Sequence, residues 1–349
     1  MKVSIIIANH KFDDLFKETV KSLLSNIRVT NSYIEIIVVN NGMGAEKADG
    51  VRKWLEGKQV KLLQIQEANP SKARNIGARV ARGEYLVFLD NDTRVEKGWL
   101  DEVVKYLDKN LKVGGGQLKL LRMNSHMKVT NLHVGKYDSA GEWITRSGFL
   151  VERAREAKDK GQFDKDDLIF SGKGAGMVVR RLVFEKIGGF DEDYIYYWEE
   201  PDLFWRIWKA GYEVRFLWMA KVFHAYGTKK KPIPRVPAKQ QVYLACRNQV
   251  MTISKNGVGL RRWQMLIGVG LSWLGLEILF LVTGKWKQAW SIERAWWWIY
   301  LHSGVQRKKR RWVRNNLKSD DKWMEKVLVN RGLKWYVGKG LAYILGKGF

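Results

Sequence analysis

The hydrophobic positions of the first ninety residues follow two periods. Short apolar runs rich in β-branched residues predict buried strands. These runs lie at 3–8, 34–39, 60–65 and 85–89. Between them, apolar residues recur at three- and four-residue spacing, as in Ala73, Ile76 and Val80, which predicts amphipathic helices. Strands that alternate with helices indicate an α/β domain with a mostly parallel sheet.

Polar residues stand where three of these predicted strands end. Asn9 follows the first run, Asn40 the second and Asp90 the fourth. In open α/β sheets, ligands bind beyond the carboxyl ends of the strands. We therefore expect the three side chains to line one cleft.

A pair of carboxylates follows the fourth strand, as Asp90, Asn91 and Asp92. Carboxylates one residue apart at a strand end can both reach a divalent cation. Mg²⁺ binds few protein carboxylates and completes its shell with substrate phosphate oxygens. The tripeptide therefore predicts a metal–diphosphate site, although a solvated turn is the alternative, since Asp and Asn are common in turns.

A second acidic group, Glu199, Glu200 and Asp202, follows an aromatic run and surrounds Pro201. Pro201 suits the first position of a helix, with Glu200 as the N-cap. Helix capping alone would account for one acid, because the helix dipole favours negative charge there. Three acids behind an aromatic run favour a general base for an acceptor hydroxyl.

Charge and tryptophan divide the chain of 349 residues unequally. The formal net charge is +26, but residues 229–349 carry 25 Lys+Arg against 5 Asp+Glu and hold 10 of the 17 tryptophans. The basic, proline-containing stretch 229–234 is typical of a domain junction. We expect a catalytic domain at 1–230 and a basic, Trp-rich helical region at 231–349.

The last third has the composition of a bilayer interface, where tryptophan and basic residues gather. Residues 263–283 are mostly apolar with one charge, Glu277, and 296–300 and 307–311 are aromatic and basic. We expect in-plane or re-entrant helices on an anionic membrane surface, with a spanning helix and a soluble helical subdomain as alternatives. Nucleic-acid binding would use the same cations and tryptophans. The chain has no recognised nucleic-acid module, so no nucleic-acid partner is expected.

Several ordered segments of the first 227 residues share their order and spacing with one enzyme family. They are 3–10, 36–42, 73–77 with 81–85, 88–92, 184–192 and 198–203. Together they resemble glycosyltransferase family 2, and within it the rhamnosyltransferase-like branch that builds cell-surface polysaccharides. The resemblance implies the GT-A fold, an α/β, Rossmann-like, mostly parallel mixed sheet with flanking helices. Here this fold would be joined to the C-terminal helical membrane-associating region.

The resemblance implies a nucleotide-sugar donor and a divalent metal, Mg²⁺ or Mn²⁺. Asp90 would meet the ribose or the metal, and Asp92 would bind the metal. His224 matches a histidine that often completes the metal site, although a lone histidine after a strand is commonly structural. The nucleotide base would lie against Asn40, where the family commonly has Asp and where Asn can still accept through its oxygen. The remaining donor contacts would be Ala8, Asn9, Arg74, Asn75, Asn91 and Gly174.

Some of these positions also have simpler interpretations. Arg74 and Asn75 could lie on an exposed helix face, and Gly174 in an ordinary turn. The family's catalytic Glu-Asp pair falls on Glu199 and Glu200, so Glu200 takes the place of the general base. Glu replaces the usual Asp there, and Glu199 and Asp202 are the other candidates.

The implied reaction is an inverting, metal-dependent transfer of a hexosyl or deoxyhexosyl group. The acceptor would be lipid-linked or a polysaccharide, in cell-surface glycan synthesis. The only cysteine, Cys246, suits a reducing compartment, which favours the cytoplasmic face of the cell membrane. The protein would be peripheral, monotopic or anchored by a C-terminal helix. A non-catalytic glycan-binding relative is an alternative that the retained Asp90, Asp92 and Glu200 speak against.

Overall fold

The computed structural model describes residues 2–27, 34–123, 133–225, 237–317, 321–332, 334–336 and 338. The chain divides into two compact units. The first unit comprises 1–142, 152–195 and 199–232, and the second comprises 143–151, 196–198 and 233–349. The junction that the sequence predicts at 229–234 lies outside the described residues.

The strands of the described residues form one large sheet and one small one. Their bounds are β1 (Val3–Asn9), β2 (Ile34–Asn41), β3 (Val60–Ile65), β4 (Tyr85–Leu89), β5 (Thr93–Val95), β6 (Val113–Met123), β7 (His133–Ser139), β8 (Glu142–Thr145), β9 (Leu150–Glu152), β10 (Gly176–Arg180), β11 (Glu213–His224) and β12 (Leu328–Val329). The large sheet has the order β3-β2-β1-β4-β10-β6-β11-β5, with β7 paired to β6. The small sheet has the order β12-β8-β9.

The large sheet is mixed but mostly parallel, as expected. Strands β1 to β4 pair in parallel, and β10 lies antiparallel between β4 and β6. Strand β6 therefore runs in the same direction as β4, and β11 is parallel to β6. The α/β fold class predicted from the hydrophobic pattern is confirmed.

Helices connect and flank these strands. Their bounds are α1 (Asp14–Ile27), α2 (Ala45–Leu55), α3 (Pro70–Val80), α4 (Asp101–Lys109), α5 (Arg181–Lys186), α6 (Glu199–Lys209), α7 (Ala238–Asn256), α8 (Gly259–Val282), α9 (Trp286–Leu301) and α10 (Ser303–Asn316), with a short 3-10 helix at Asp321–Lys326. Helix α3 begins with a matched cap, because the Asn69 side chain accepts from the Lys72 N–H and Pro70 fills the first turn.

Strand β4 is buried throughout its length, which is why its sequence is continuously apolar. The observed bounds of β3 and β4 are those expected from the sequence. Strand β1 extends one residue further, to Asn9, and β2 extends to Asn41. The backbone ladder continues through these polar residues, with Asn9 opposite Asn40. The register thus places two amide side chains side by side at the carboxyl edge of the sheet.

Helix α6 begins earlier than the proline signal predicts. Its first residue is Glu199, so Glu200 lies inside the first turn and the N-cap prediction for it is wrong. Pro201 is still tolerated, because N–H groups of the first turn have no partner within the helix. The consequence is that Glu199, Glu200 and Asp202 all share the first turn.

The second unit is mainly helical, with α7 packed against α8, α9 and α10. The apolar stretch 263–283 lies almost entirely within α8. Of the helices in the described part of the chain, α8 is long and apolar enough to cross a membrane. A core helix of a water-soluble protein can have the same length and composition, so this property alone does not decide between them.

Candidate active site

Three asparagine amides form a chain at the carboxyl edge of the sheet. Asn91 Nδ2 donates to Asn9 Oδ1 at 2.8 Å, and Asn9 Nδ2 donates to Asn40 Oδ1 at 3.3 Å. The backbone N–H of Lys11 also donates to Asn9 Oδ1 at 3.3 Å, and because an N–H can only donate, this bond fixes the orientation of the Asn9 amide. Asn40 Oδ1 is thus already an acceptor within the protein. Its Nδ2 is buried and has no hydrogen-bond partner among the described residues.

Two carboxylates and an imidazole converge beside this chain of amides. Asp90 and Asp92 follow β4, and His224 ends β11, where it pairs with Thr93 of β5. His224 Nε2 lies 3.3 Å from Asp92 Oδ1 and 4.0 Å from Asp90 Oδ2. One ligand atom from each residue can be chosen so that all three lie within 4.8 Å of one another. Two carboxylate oxygens and an imidazole nitrogen fit a divalent cation that keeps positions open for substrate oxygens.

Two carboxylates, Asp92 and Asp138, set the charge of His224 in the absence of a cation. Burial lowers the pKa of His224, but Asp92 and Asp138 outweigh burial and raise this pKa to about 10. A site that holds a proton this strongly has the negative charge needed to hold a cation instead.

A third acidic residue of this cluster, Asp138 of β7, orients the imidazole. Its Oδ2 lies 2.9 Å from His224 Nδ1, and its side chain is fully buried. The other carboxylate oxygen faces the Lys173 ammonium at 3.7 Å, and Lys173 in turn lies 2.9 Å from Glu152 Oε1. With Nδ1 held by a carboxylate, Nε2 is directed towards Asp90 and Asp92, as is typical of metal-binding histidines.

Arg74 of α3 links the candidate metal ligands to the acidic pair of α6. Its guanidinium is buried and lies 3.3 Å from Asp90 Oδ1, 3.3 Å from Glu200 Oε1 and 3.9 Å from Glu199 Oε1. The exposed-face interpretation of Arg74 and Asn75 is wrong, because both side chains are buried.

Glu200 receives a second donor on the same oxygen. The Gly174 N–H donates to Glu200 Oε1 at 3.1 Å. A Cβ at Gly174 would collide with both Glu200 Oε1 and the Arg74 guanidinium. The glycine therefore allows the backbone to approach the carboxylate closely, beyond what an ordinary turn requires.

The pKa values of Glu199 and Glu200 are both raised, but to different extents. Burial and the charge of Glu200 raise the pKa of Glu199 well above its usual range, while Arg74 opposes the shift. Burial also raises the pKa of Glu200, and Arg74 and the Gly174 N–H oppose it. Because Glu200 has the closer donors, the pair is best described with the proton on Glu199 and the charge on Glu200.

Similarity to known proteins identifies the family of this chain. The protein-family model described as "Glycosyl transferase family 2" matches residues 4–188, which is more than half of the chain. The chain belongs to glycosyltransferase family 2. It is 31% identical over 194 residues to the O-antigen biosynthesis protein RfbC of Myxococcus xanthus, covering 55% of this chain and 15% of that protein. It is 24% identical over 220 residues to the probable glycosyltransferase YdaM of Bacillus subtilis strain 168, covering 62% and 48%. The chain thus spans less than half the length of these curated relatives.

Solved structures share the GT-A fold expected of a family 2 glycosyltransferase. GalNAc-T7, solved with UDP, GalNAc and Mn²⁺, superposes with a TM-score of 0.56 at 18% identity, covering 73% of this chain and 48% of that one. Residues 1–349 of S. aureus TarS superpose with a TM-score of 0.50 at 14% identity, covering 77% and 70%. At these identities the likeness concerns the fold alone.

Two residues predicted for the site of this family 2 chain bind neighbouring protein groups, Asp202 a side chain and Asn75 the backbone. Asp202 is fully buried, and its Oδ2 accepts from Arg206 at 2.8 Å. The Asn75 amide both accepts from the Phe190 N–H and donates to the Phe190 carbonyl, each at 2.9 Å. Their roles as base and donor ligand stay predictions, and the observed contacts give them a structural role. Ala8 is half-buried beside Asn9 on β1.

Sequence reasoning missed Asp138 and Lys173. Asp138 lies 86 residues before His224, in a strand with no recognisable motif. Lys173 stands in the 171–176 loop, where the resemblance points to the glycines Gly172, Gly174 and Gly176 and not to the lysine between them. A single sequence contains no signal for Asp138, because its partner His224 is defined by the pairing of β7 with β6 and of β6 with β11. Lys173 is equally hidden, because its partners Asp138 and Glu152 lie on separate strands.

We expect Gly174→Ala to lower at least 10-fold the glycosyl-transfer rate that family 2 membership predicts for this chain. The added methyl group must displace the Glu200 carboxylate or the Arg74 guanidinium, and a misplacement of about 1 Å in an active site can cost 10²-fold. Gly44→Ala is the matched control, because a Cβ at Gly44 meets open space. Initial rates and melting temperatures of both variants test this. Equal rates in the two variants would remove Gly174 from the site.

Proposed function

We propose that this chain is an inverting, metal-dependent glycosyltransferase that uses a nucleotide-sugar donor. The observation that carries the proposal is the Arg74 bridge, which holds Glu200 beside the Asp90, Asp92 and His224 cluster. A carboxylate base and a diphosphate-binding site must lie about one sugar apart for such a reaction. Family membership and the UDP, GalNAc and Mn²⁺ of the GalNAc-T7 structure support the donor class.

Asp90, Asp92 and His224 would hold Mg²⁺ or Mn²⁺. When bound, the metal neutralises negative charge on the departing nucleotide diphosphate. The amides of Asn9 and Asn40 would meet the nucleotide, together with Ala8, Arg74, Asn75, Asn91 and Gly174. Asp138 would keep His224 turned towards the two carboxylates.

Glu200 would act as the general base. Arg74 and the Gly174 N–H both bind Oε1, which leaves Oε2 to accept the proton of the acceptor hydroxyl. The acceptor oxygen forms its bond to the anomeric carbon while the bond from that carbon to the diphosphate oxygen breaks. Attack from the face opposite the diphosphate inverts the anomeric centre, and one base suffices.

The proposed acceptor is lipid-linked or a polysaccharide, and the transferred group a hexosyl or deoxyhexosyl group. Similarity to an O-antigen biosynthesis protein supports a role in cell-surface glycan synthesis. The excess of cations and tryptophans after residue 228 supports a place at the cytoplasmic face of the cell membrane. In this proposal 1–230 is the catalytic domain and 231–349 the membrane-associating region.

A panel of nucleotide sugars tests the proposed function. UDP-, dTDP- and GDP-linked sugars are each added with Mg²⁺, Mn²⁺ or a chelator, and the melting temperature is followed. A bound donor stabilises the folded chain by mass action, so one nucleotide class should raise the melting temperature only with a cation. Product NMR then gives the anomeric configuration. No cation-dependent stabilisation by any nucleotide sugar, or a retained configuration, would contradict the proposal.

We expect Asp138→Ala to weaken Mn²⁺ binding about 10- to 100-fold, as removal of a histidine-orienting carboxylate does in metal sites. Asp138→Asn should weaken Mn²⁺ binding less than Asp138→Ala does, because its amide oxygen can still accept from His224 Nδ1. Asp167→Asn is the control, since Asp167 pairs with the buried Arg153 and not with the site. Titration of Mn²⁺ followed by electron paramagnetic resonance measures the affinity without turnover. If Asp138→Ala and Asp167→Asn lose the same Mn²⁺ affinity, Asp138 does not orient His224 for metal binding.

A further inference from the structure

One face of α8 exposes large apolar side chains along the whole helix. We call this face the α8 stripe, and it consists of Leu260, Trp263, Ile267, Leu271, Leu274, Ile278, Leu281 and Val282. Apart from the adjacent pair Leu281 and Val282, its members recur every three or four residues, so they lie along one face of the helix. At 1.5 Å per residue the row is about 33 Å long. Leu271, at its middle, is 65% exposed.

No charge interrupts the α8 stripe from Trp263 onwards. Residues 263–284 are all described, and the single charged side chain among them, Glu277, is buried. Water-soluble monomers rarely expose a contiguous apolar surface larger than a few hundred Å². The stripe therefore needs an occupant.

The residues around the α8 stripe identify the chemistry of the occupant. Arg261 and Arg262 lie in its first turn, directly after Leu260, and Lys285 and Lys287 follow it. The helix after the stripe, α9, exposes Trp286, Trp290 and Trp297. Apolar surface flanked by tryptophan and cations matches the boundary between acyl chains and headgroups.

Charge argues against a second copy of the chain as the occupant. Residues 229–349 have a net charge of +20, so pairing two stripes would bring two such regions together. Anionic lipid would instead neutralise this charge, at a favourable energy for each cation near the surface.

The opposite face of α8 decides how the helix meets the bilayer. Trp273, at the middle of α8, donates to Gln249 Oε1 of α7 at 2.9 Å, and Gln249 Nε2 donates to the Gly148 carbonyl at 2.8 Å. Helix α7 also buries Arg247 and Asn248. If α8 spanned the bilayer, these polar groups would be carried to the middle of the hydrocarbon, where such groups are costly. If α8 lies in the plane, only the stripe enters the hydrocarbon and the polar contacts stay on the protein side.

We propose that α8 lies in the plane of an anionic membrane surface, with the α8 stripe in the outer acyl layer and Arg261, Arg262, Lys285 and Lys287 at the headgroups. This deepens the membrane location proposed above and resolves the choice between in-plane and spanning helices that the sequence leaves open. It requires no change in the packing of α7, α8 and α9.

Depth measurements distinguish the in-plane helix from a spanning one. The buried free thiol of Cys246 is first replaced in a Cys246→Ala full-length chain. Single cysteines at positions 260, 267, 271 and 278 then receive a nitroxide, and its depth in phosphatidylcholine–phosphatidylglycerol vesicles is measured. An in-plane helix places all four labels within a few Å of one depth. In a spanning helix, positions 260 and 271 differ by about 16 Å, and that gradient would overturn the proposal.

Vesicle binding tests the surface itself. Leu271→Glu should lower partitioning onto anionic vesicles at least 10-fold, because it puts a charge in the middle of the stripe. Leu182→Glu is the matched control, since Leu182 is an isolated exposed leucine of the first unit, and its partitioning should not change. Four results would each overturn the proposal. They are equal partitioning of the two variants, equal binding to neutral and anionic vesicles, tight RNA binding without vesicle binding, and a stable dimer that buries the stripe.

Folding and catalysis are followed separately in the same variants. Circular dichroism and the cation-dependent stabilisation by donor should be unchanged in Leu271→Glu. Loss of vesicle binding with donor stabilisation intact supports the α8 stripe. If the chain binds vesicles but no donor, the catalytic proposal is contradicted and the proposal for the α8 stripe is still supported.

Discussion

Replacing Glu200 with Gln is expected to lower the transfer rate by on the order of 10²–10⁴-fold, the usual contribution of a general base. Gln keeps the shape of the side chain and can still accept from Arg74 and Gly174 through its amide oxygen. It cannot take the proton of the acceptor hydroxyl. Single-turnover rates with saturating donor and Mn²⁺ measure the loss, and donor binding by calorimetry should change little.

Glu199→Gln is the control for this experiment. Because burial and Glu200 favour the protonated form of Glu199, an amide there imitates its resting state. The rate of this variant should stay within about 10-fold of the wild type, well short of the loss of a general base. If Glu199→Gln were the slower variant, the roles of the two acids would have to be exchanged.

The acid limb of the pH profile gives an independent measure of the same base. Burial raises the pKa of Glu200 above the ordinary value of 4.5, and the base works only when it is deprotonated. Activity should therefore be full above the raised pKa and fall as the pH drops through it. A limb at or below 4.5 would show that a different group titrates.

The main features of the first unit could be read from its sequence because they are local. Continuous apolar runs are buried on both faces, and Asp90 and Asp92 follow the fourth run directly. The start of helix α6 is harder to predict from the sequence. Three acids lie in its first turn, so several residues could be the N-cap, and the helix begins two residues before Pro201. The buried pairing of Asp202 with Arg206 depends on the turn of that helix, and the spacing of four residues could have suggested it.

The remaining contacts depend on strand pairing or on burial. Asp138 reaches His224 only because β7, β6 and β11 are neighbours in the sheet. The prediction that the Asn40 oxygen accepts from a nucleotide base stays a prediction. Strand pairing makes that oxygen accept from Asn9 as well, and among the described residues its Nδ2 has no partner. In α8 both helix faces are apolar in sequence, so no hydrophobic pattern separates the packed face from the stripe.

The two aspartates after β4 should respond differently to substitution, which tests the metal site and the Arg74 bridge together. Both aspartates belong to the candidate metal site with His224. Asp92 lies beside His224, whereas Asp90 also pairs with Arg74 through Oδ1. Asp92→Asn should weaken Mn²⁺ binding by on the order of 10²-fold, as loss of a charged ligand exceeds loss of its supporting partner. Excess Mn²⁺ should then restore much of the transfer rate.

Asp90→Asn should lose Mn²⁺ affinity and, in addition, stay slow when Mn²⁺ is saturating. Its amide no longer balances the Arg74 guanidinium, which is then drawn more strongly to Glu200 and makes that base weaker. Mn²⁺ affinity and the rate at saturating Mn²⁺ are measured for both variants, with Asp101→Asn, an exposed acid at the start of α4, as control. Full rescue of both variants by Mn²⁺ would confine Asp90 to the metal site, and unchanged Mn²⁺ affinity in both would place the cation elsewhere.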